Sequence, residues 1–391
     1  MNIEITPKKL SGTADAPPSK SAAHRVLICA ALSDEKSVVK IGSISEDINA
    51  TIGCLKVIGN EIEIRDGNVE IMPAKERPKN AVLDCGESGS TLRFMIPVSA
   101  ALGINAEFTG RGRLPERPVG ELLDCLEKHG VKCSREFPIK ISGKLKSGKF
   151  RIEGNVSSQY ITGFLLALPL CDGDSTLEIV GHAESKPYID LTVEIMKYFG
   201  AEINEENRIF SIKSKKYAGK VFEVEGDWSN GAALLACGIE VKNLREDSKQ
   251  GDKIISEFLK ELPAEIDASD IPDLVPVVSV LASAKKGRTV IYNASRLRKK
   301  ESDRILSVVR MINSLGGCAE ETDDGMIICG TGKLAGGTVD SFNDHRIVMA
   351  AAAAAQYCDE KVIIKNAEAI NKSFPGFFSI YNSHGGSANV V

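Results

Sequence analysis

The sequence predicts an α/β protein of two lobes, each assembled from three copies of one small unit. Three observations predict it. First, one pattern recurs: an amphipathic helix, a terminating Gly, a short alternating strand, a polar turn and a second strand. The clearest copies span residues 48–71, 119–141, 189–212 and 305–328, with helices ending at Gly59, Gly130, Gly200 and Gly316. Second, the first three copies lie about seventy residues apart, too long for a solenoid repeat and suited to an α/β unit used several times. Third, 391 residues exceed one ordinary core, so two domains are expected.

Taken in order, residues 6–16 read as a strand that the C-terminal half borrows. Three units then fill residues 19–225, and three more fill residues 226–391 together with 1–18. Two copies are worn: 252–266, where Leu262-Pro263 replaces the Gly, and the Ala-rich helix 345–357 followed by Lys361-Val362-Ile363-Ile364. The chain would cross between lobes near Pro17-Pro18 and near Glu225-Gly226-Asp227, which puts Lys20 at an interlobe cleft where ligands favour binding. Residues 383–391 read as a loose tail.

Apolar content of 43% and charged content of 26% are those of a soluble globular protein. No secretory leader is recognisable and no apolar run is long enough to span a bilayer, so a cytoplasmic protein without membrane association is expected. The ten cysteines never form C-x-x-C and lie mostly in apolar segments, which suggests buried reduced thiols rather than zinc or disulfides. A net charge of −4 argues against general affinity for nucleic acid.

Polar motifs cluster at element ends. In Pro17-Pro18-Ser19-Lys20-Ser21-Ala22-Ala23-His24-Arg25 two prolines resist helix, Ser19 is a good N-cap, and Ser21 and Arg25 share a helical face. It reads either as a capped surface helix or as an anion seat. The Gly-rich turn at 84–93 opens a helix but lacks Walker spacing. Gly110-Arg111-Gly112-Arg113-Leu114-Pro115-Glu116-Arg117-Pro118 is a solvated face or a carboxylate or phosphate clamp. Ser157-Ser158-Gln159 and Ser185-Lys186-Pro187 precede helices, and each taken by itself is read as a helix cap before a ligand contact. Asp273 is either an N-cap or a base tuned by burial. In 296–305, Lys300 and Arg304 share a helical face beside Glu301, and Glu301 and Asp303 interrupt what a nucleic-acid patch would need. Asn343-Asp344-His345-Arg346 opens the Ala-rich helix; His345 is read as positioning and Arg346 as holding an anion. Lys20, Arg25, Arg113, Lys300, Arg304, Arg346 and Lys372 together place seven cations at element ends of an acidic chain, which implies a small, heavily anionic ligand pair.

These stretches carry a resemblance. P-P-S-K-S-A-A-H-R (17–25), S-G-S-T-L-R (88–93), G-R-L-P-E-R-P (112–118), S-S-Q-Y (157–160), S-K-P-Y (185–188), I-P-D (271–273), K-E-S-D-R (300–304), N-D-H-R (343–346) and K-S-F-P (372–375) occur in the order found in the EPSP synthase family. The resemblance implies the two-lobed enolpyruvyl transferase fold, an inside-out α/β barrel with three β-α-β-α-β-β units per lobe. It implies transfer of the enolpyruvyl group of phosphoenolpyruvate to the 5-hydroxyl of shikimate 3-phosphate, with release of phosphate, on the shikimate pathway to chorismate and aromatic amino acids. No metal or organic cofactor and no nucleic-acid partner is implied, and a monomer is expected.

Carried over residue by residue, the resemblance implies shikimate 3-phosphate contacts at Lys20, Ser21, Arg25, Ser157, Ser158, Gln159, Ser185, Asp273 and Lys300. Phosphoenolpyruvate contacts fall at Lys20, Gly89, Arg113, Gln159, Arg304, Arg346 and Lys372. The catalytic residues are Asp273, which takes the hydroxyl proton, Glu301, which delivers one to the methylene carbon, and Lys20. Two positions depart from the pattern common in bacterial members: Glu87 stands where many carry Asn, and Arg296 where some carry an Asn at shikimate 3-phosphate, so Arg296 is left out of the site. Gly89→Ala is expected to weaken the inhibitor glyphosate more than phosphoenolpyruvate. The sister transferase acting on UDP-N-acetylglucosamine fits less well, since Ser21 stands where it has Asn and the 110–118 loop lacks Cys. An RNA-binding reading of 296–300 leaves Asp273 and Glu301 unexplained.

Overall fold

The computed structural model describes residues 1–155 and 157–391; Val156, inside the 155–159 motif, lies outside the described residues. The chain divides into two compact units, Met1–Pro17 with Gly226–Val391, and Pro18–Glu225. Each has its own apolar core. No helix is long and apolar enough to cross a membrane.

In chain order the first unit contributes strands β1 (Ile3–Ile5) and β2 (Thr13–Ala14). The second unit follows with α1 (Lys20–Ala31), β3 (Ser37–Lys40), α2 (Glu46–Val57), β4 (Glu61–Arg65), β5 (Asn68–Met72), β6 (Asn80–Asp84), α3 (Gly89–Ala101), β7 (Asn105–Thr109), α4 (Gly120–Glu127), β8 (Lys132–Cys133) and β9 (Ile139–Ser142). It ends with β10 (Lys149–Glu153), α5 (Ser158–Ala167), β11 (Ser175–Val180), α6 (Lys186–Tyr198), β12 (Ile203–Glu206), β13 (Ile209–Ile212) and β14 (Val221–Glu223). The first unit resumes with α7 (Trp228–Ala236), β15 (Glu240–Val241), α8 (Ile255–Phe258), β16 (Glu265–Asp267), α9 (Val275–Ala284), β17 (Gly287–Tyr292), α10 (Arg304–Ser314), β18 (Ala319–Thr322) and β19 (Gly325–Gly330). It closes with β20 (Gly337–Asp340), α11 (His345–Ala354), β21 (Val362–Lys365), α12 (Phe377–Ser383) and β22 (Ala388–Val390).

The repeat is explicit in the sheets. In β6-β7-β9-β8, β10-β11-β13-β12, β14-β3-β5-β4 and β16-β17-β19-β18 the first two strands are parallel and the other two add antiparallel. A parallel pair needs a crossover helix and an antiparallel pair only a turn, which yields β-α-β-α-β-β. A fifth sheet, β20-β21-β1-β22, keeps the same pattern but takes its antiparallel pair from the two chain ends. The sixth is worn to the parallel pair β15-β2. Helices α1, α3 and α5 are buried almost all round, whereas the amphipathic α2, α4 and α6 bury one face. Helices therefore fill the core of the second unit, the inverse of an ordinary α/β barrel.

The four helix-terminating glycines hold φ of +108° (Gly59), +92° (Gly130), +88° (Gly200) and +79° (Gly316), the left-handed conformation that ends a helix. Two expectations are corrected. The borrowed strand expected at 6–16 is reduced to the two-residue β2, with the longer β1 lying before it at Ile3–Ile5, because Pro7, Lys8, Lys9 and the turn at Gly12 (φ +107°) keep the intervening chain out of a ladder. Residues 383–391 are not a loose tail: β22 pairs antiparallel with β1, Ile5 opposite Ala388 and Ile3 opposite Val390.

Candidate active site

In the second unit, four helix starts are tied together by buried polar side chains. Ser19, Ser88 and Ser157 cap α1, α3 and α5 by accepting from the amides of Ala22, Thr91 and Gln159. His24 Nδ1 lies 2.7 Å from Thr51 Oγ1, which lies 2.7 Å from Thr91 Oγ1, and Thr91 donates to Ser88 at 2.8 Å. Burial lowers the His24 pKa to about 3, so it stays neutral and serves as a fastener of α1, α2 and α3. Arg25 Nε donates to Thr192 at 2.7 Å, and its Nη groups donate to the Ser21 carbonyl (2.6 Å), the Tyr188 carbonyl (3.1 Å) and Thr162 (3.3 Å). Three of its five N–H groups thus bind α1 to α5 and α6 and a fourth closes back on α1 at Ser21, leaving one for a ligand. Ser185, at the N-cap position of α6, holds φ +54°, a strained conformation of the kind that collects at ligand sites.

Lys20 Nζ meets Asp47 Oδ2 at 2.9 Å, with both side chains largely buried. Gln159 has both amide atoms engaged: Nε2 donates to Ser90 Oγ (2.9 Å) and Oε1 accepts from Arg93 (2.7 Å). Arg93 also donates to the Pro118 carbonyl at 2.9 Å. Burial and the adjacent Arg117 guanidinium both depress the Arg93 pKa, so two like charges lie together at the start of α3. Arg117 lies directly against Gly89: a Cβ added there would sit 2.4 Å from its Nη1. Arg113, the arginine expected at phosphoenolpyruvate, is exposed and rests on Glu116 at 3.4 Å. The loop turns Leu114 inward instead, above a cavity of about 230 Å³ lined by Leu92, Pro118, Leu123 and Phe137.

The first unit carries the carboxylates. Asp273, about 24% exposed, receives Arg304 at 2.7 Å on one oxygen and Arg346 at 3.4 Å on the other. Burial alone would raise its pKa; Arg346, Lys300 and Arg304 outweigh it and hold the carboxyl well below the usual range. Arg304, only 2% exposed, opens α10 and is gripped from behind by Asp344 at 2.9 Å. Asp344 caps α11 through the Arg346 amide (2.9 Å) and also accepts from Ser302 (3.1 Å). Phe342 and Asn343, at φ +52° and +55°, make the strained turn that aims Asp344 back. His345 Nδ1 lies 2.8 Å from Glu301 Oε2, and Lys372 Nζ donates to the Asn343 carbonyl at 2.8 Å. Arg346 bonds weakly to Asn230 at 3.4 Å, and among the described residues its buried Nε has no acceptor, so this guanidinium has donors to offer an anion.

Asp273, Lys300, Glu301, Arg304, Arg346 and Lys372 therefore form one cluster, and Lys20, Ser21, Gly89, Ser157, Ser158, Gln159 and Ser185 lie at the helix starts of the other unit. Sequence reasoning missed Asp47, Arg93, Arg117, Asp252 and Asp344. Arg93, Arg117 and Asp344 stood inside motifs already singled out; Asp47 and Asp252 carried no signal. Asp252 is fully buried, and one oxygen accepts from Ser229. Desolvation, then the charge of Asp273, raises its pKa to about 7. Glu301, Asp344 and His345 are the one trio among the described residues with donor atoms close enough for a metal, within 4.8 Å, but Asp344 is already engaged by Arg304 and Ser302. The charged stretch before α10 is likewise internally paired: Arg298 binds Asp303 and Glu321, and Arg296 donates to the Ser269 carbonyl.

The family model described as EPSP synthase (3-phosphoshikimate 1-carboxyvinyltransferase) matches residues 5–271 and 262–380. The chain belongs to the EPSP synthase family. Proteins named 3-phosphoshikimate 1-carboxyvinyltransferase from Clostridium novyi (strain NT) and Clostridium acetobutylicum are 41% and 40% identical to it, over 98% and 99% of this chain and 98% of each relative. A solved EPSP synthase structure from Acinetobacter baumannii superimposes with a TM-score of 0.82 at 23% identity over the whole of both chains, which shows the shared fold.

Proposed function

We propose that this member of the EPSP synthase family transfers the enolpyruvyl group of phosphoenolpyruvate to the 5-hydroxyl of shikimate 3-phosphate, releasing phosphate. The observation that carries the reading is a carboxylate, Asp273, clamped between Arg304 and Arg346 beside a second carboxyl group, Glu301. Clamped this way Asp273 is a weak base. When the phosphate and carboxylate of phosphoenolpyruvate engage Arg304, Arg346 and Lys372, they take over that positive charge. The Asp273 pKa then rises toward the normal range, and it can accept the hydroxyl proton.

Glu301 gives its proton to the methylene carbon of phosphoenolpyruvate, which makes the neighbouring carbon electrophilic. The hydroxyl oxygen attacks that carbon, and His345 holds the Glu301 carboxyl in place. The resulting tetrahedral intermediate returns a methyl proton to the Glu301 carboxylate and expels phosphate, which carries off the proton held by Asp273. Lys20, Ser21, Arg25, Ser157, Ser158, Gln159, Ser185 and Lys300 bind shikimate 3-phosphate. Lys20, Gly89 and Gln159 complete the phosphoenolpyruvate contacts with Arg117, which takes the part expected of Arg113 because it is the arginine held against Gly89. Joining two polyanions requires this density of cations to offset their repulsion. The chain acts as a monomer in the cytoplasm, without metal or organic cofactor.

The test is phosphate release with both substrates. Asp273→Asn and Glu301→Gln should each lose on the order of 10²–10⁴ in kcat. Arg117→Ala should raise the KM for phosphoenolpyruvate at least tenfold while Arg113→Ala changes it less than threefold. Turnover in either carboxyl variant at wild-type rate would refute the acid–base roles, and the reverse ranking of the arginines would restore Arg113.

A further inference from the structure

Eight of the ten cysteines are buried or half-buried, and the two exposed ones face each other. Cys318 stands immediately before β18 and Cys329 lies in β19; the register that pairs Ala319 with Ile328 puts Cys318 directly opposite Cys329, and the Cys329 amide donates to the Cys318 carbonyl at 2.8 Å. Residues opposite each other in a hydrogen-bonded antiparallel pair have Cα atoms about 5.5 Å apart, within the range a disulfide spans, and their side chains share one face. The two thiols already interact: the charge of Cys329 pushes the Cys318 pKa up most, followed by desolvation, the side-chain hydrogen bond with Cys329 and the charge of Glu320. On the other side of Cys329, β17 places the exposed Arg288 at the opposing position. A cation and two thiols therefore run in a row across the exposed face of this sheet.

We propose that Cys318 and Cys329 form a redox-reversible dithiol site that closes into a cross-strand disulfide by exchange with a small anionic disulfide such as oxidised glutathione. Arg288 attracts the carboxylates of that disulfide. The Cys329 thiolate attacks one of its sulfurs, forming a mixed disulfide and releasing one small thiolate, which takes up the proton. Cys318 then loses its proton and attacks the Cys329 sulfur, releasing the second small thiol. Two protein thiols are oxidised and one small disulfide is reduced to two thiols, so the exchange needs no other reactant.

The test uses the whole chain equilibrated in glutathione buffers from fully reduced to fully oxidised, quenched by acid, alkylated with iodoacetamide and weighed intact and as peptides. The expected result is two fast alkylations, at Cys318 and Cys329, in the reduced protein. In the oxidised protein both are lost, the mass falls by two hydrogen atoms, and dithiothreitol reverses the change. Cys318→Ser should instead trap a stable glutathione adduct on Cys329, a readout that does not depend on activity. Independent glutathione adducts on both cysteines, or thiols still free in oxidised glutathione, would overturn the proposal.

Discussion

At the scale of the residue, the site is governed by charges whose neighbours set their strength. Asp252 shows this without touching the proposed chemistry. Its pKa is raised from an ordinary 3.8 to about 7, mainly by burial. As pH rises from about 4 to 7 the unfolded chain releases this proton before the folded one does, so folding stability falls across that window, and above it the penalty is complete. Asp252→Asn removes the effect. Its stability relative to wild type should improve by about 1–3 kcal/mol between pH 5 and pH 8, measured by urea unfolding at both. Parallel pH profiles for the two proteins would refute it.

Gly89 poses a different residue-level question. An added methyl would collide with the Arg117 guanidinium, the far end of a flexible side chain in a loop above a cavity, so Arg117 would swing aside. Gly89→Ala should still fold and should raise the glyphosate inhibition constant by more than tenfold the rise in KM for phosphoenolpyruvate, if the methyl itself meets the longer inhibitor. Equal losses for both ligands would assign the effect to the displaced Arg117 instead.

At the scale of the element, the same substitution should have opposite signs in two places. Gly316 ends α10 at φ +79°, with the Ala335 Cβ only 2.8 Å from where its own would lie. Gly316→Ala should cost about 1–2 kcal/mol. Gly53 lies inside α2 with nothing within 4 Å of an added Cβ, and Gly53→Ala should stabilise by up to about 1 kcal/mol. Chemical unfolding of both variants decides this, and a stabilising Gly316→Ala would contradict the left-handed cap. The capping serines Ser19, Ser88 and Ser157 work at the same scale. Each starts a helix locally by accepting one of its otherwise unpaired first-turn amides.

At the scale of the whole molecule, the two ends of the chain complete one sheet. β1 lies between β21 and β22, and Thr6 and Val391 extend the pairing through the Ser387 and Asn2 carbonyls. Truncation after Gly385 strips one edge from β1 and should destabilise the protein by on the order of 2–4 kcal/mol, read as a lower urea midpoint. An unchanged midpoint would mean that these residues contribute no more than a tail.

The sequence by itself determined the repeat, the helices and their stops, the motifs at the helix starts and the family. Each of these is written in residues close together in the chain, where period, cap and left-handed glycine act over one or two turns. Only the tertiary structure decided which partners meet. Arg113 and Arg117 share one loop and one composition, and it is the inward turn of Leu114 that leaves Arg113 in solvent and brings Arg117 to Gly89. Asp252 has an unremarkable neighbourhood in sequence, and its protonation comes from burial beside Asp273. Cys318 and Cys329 read as two more buried thiols until the register of β18 and β19 put them opposite each other on an exposed face. Pairings of this kind depend on how distant segments close on one another, and local pattern carries no record of that closure.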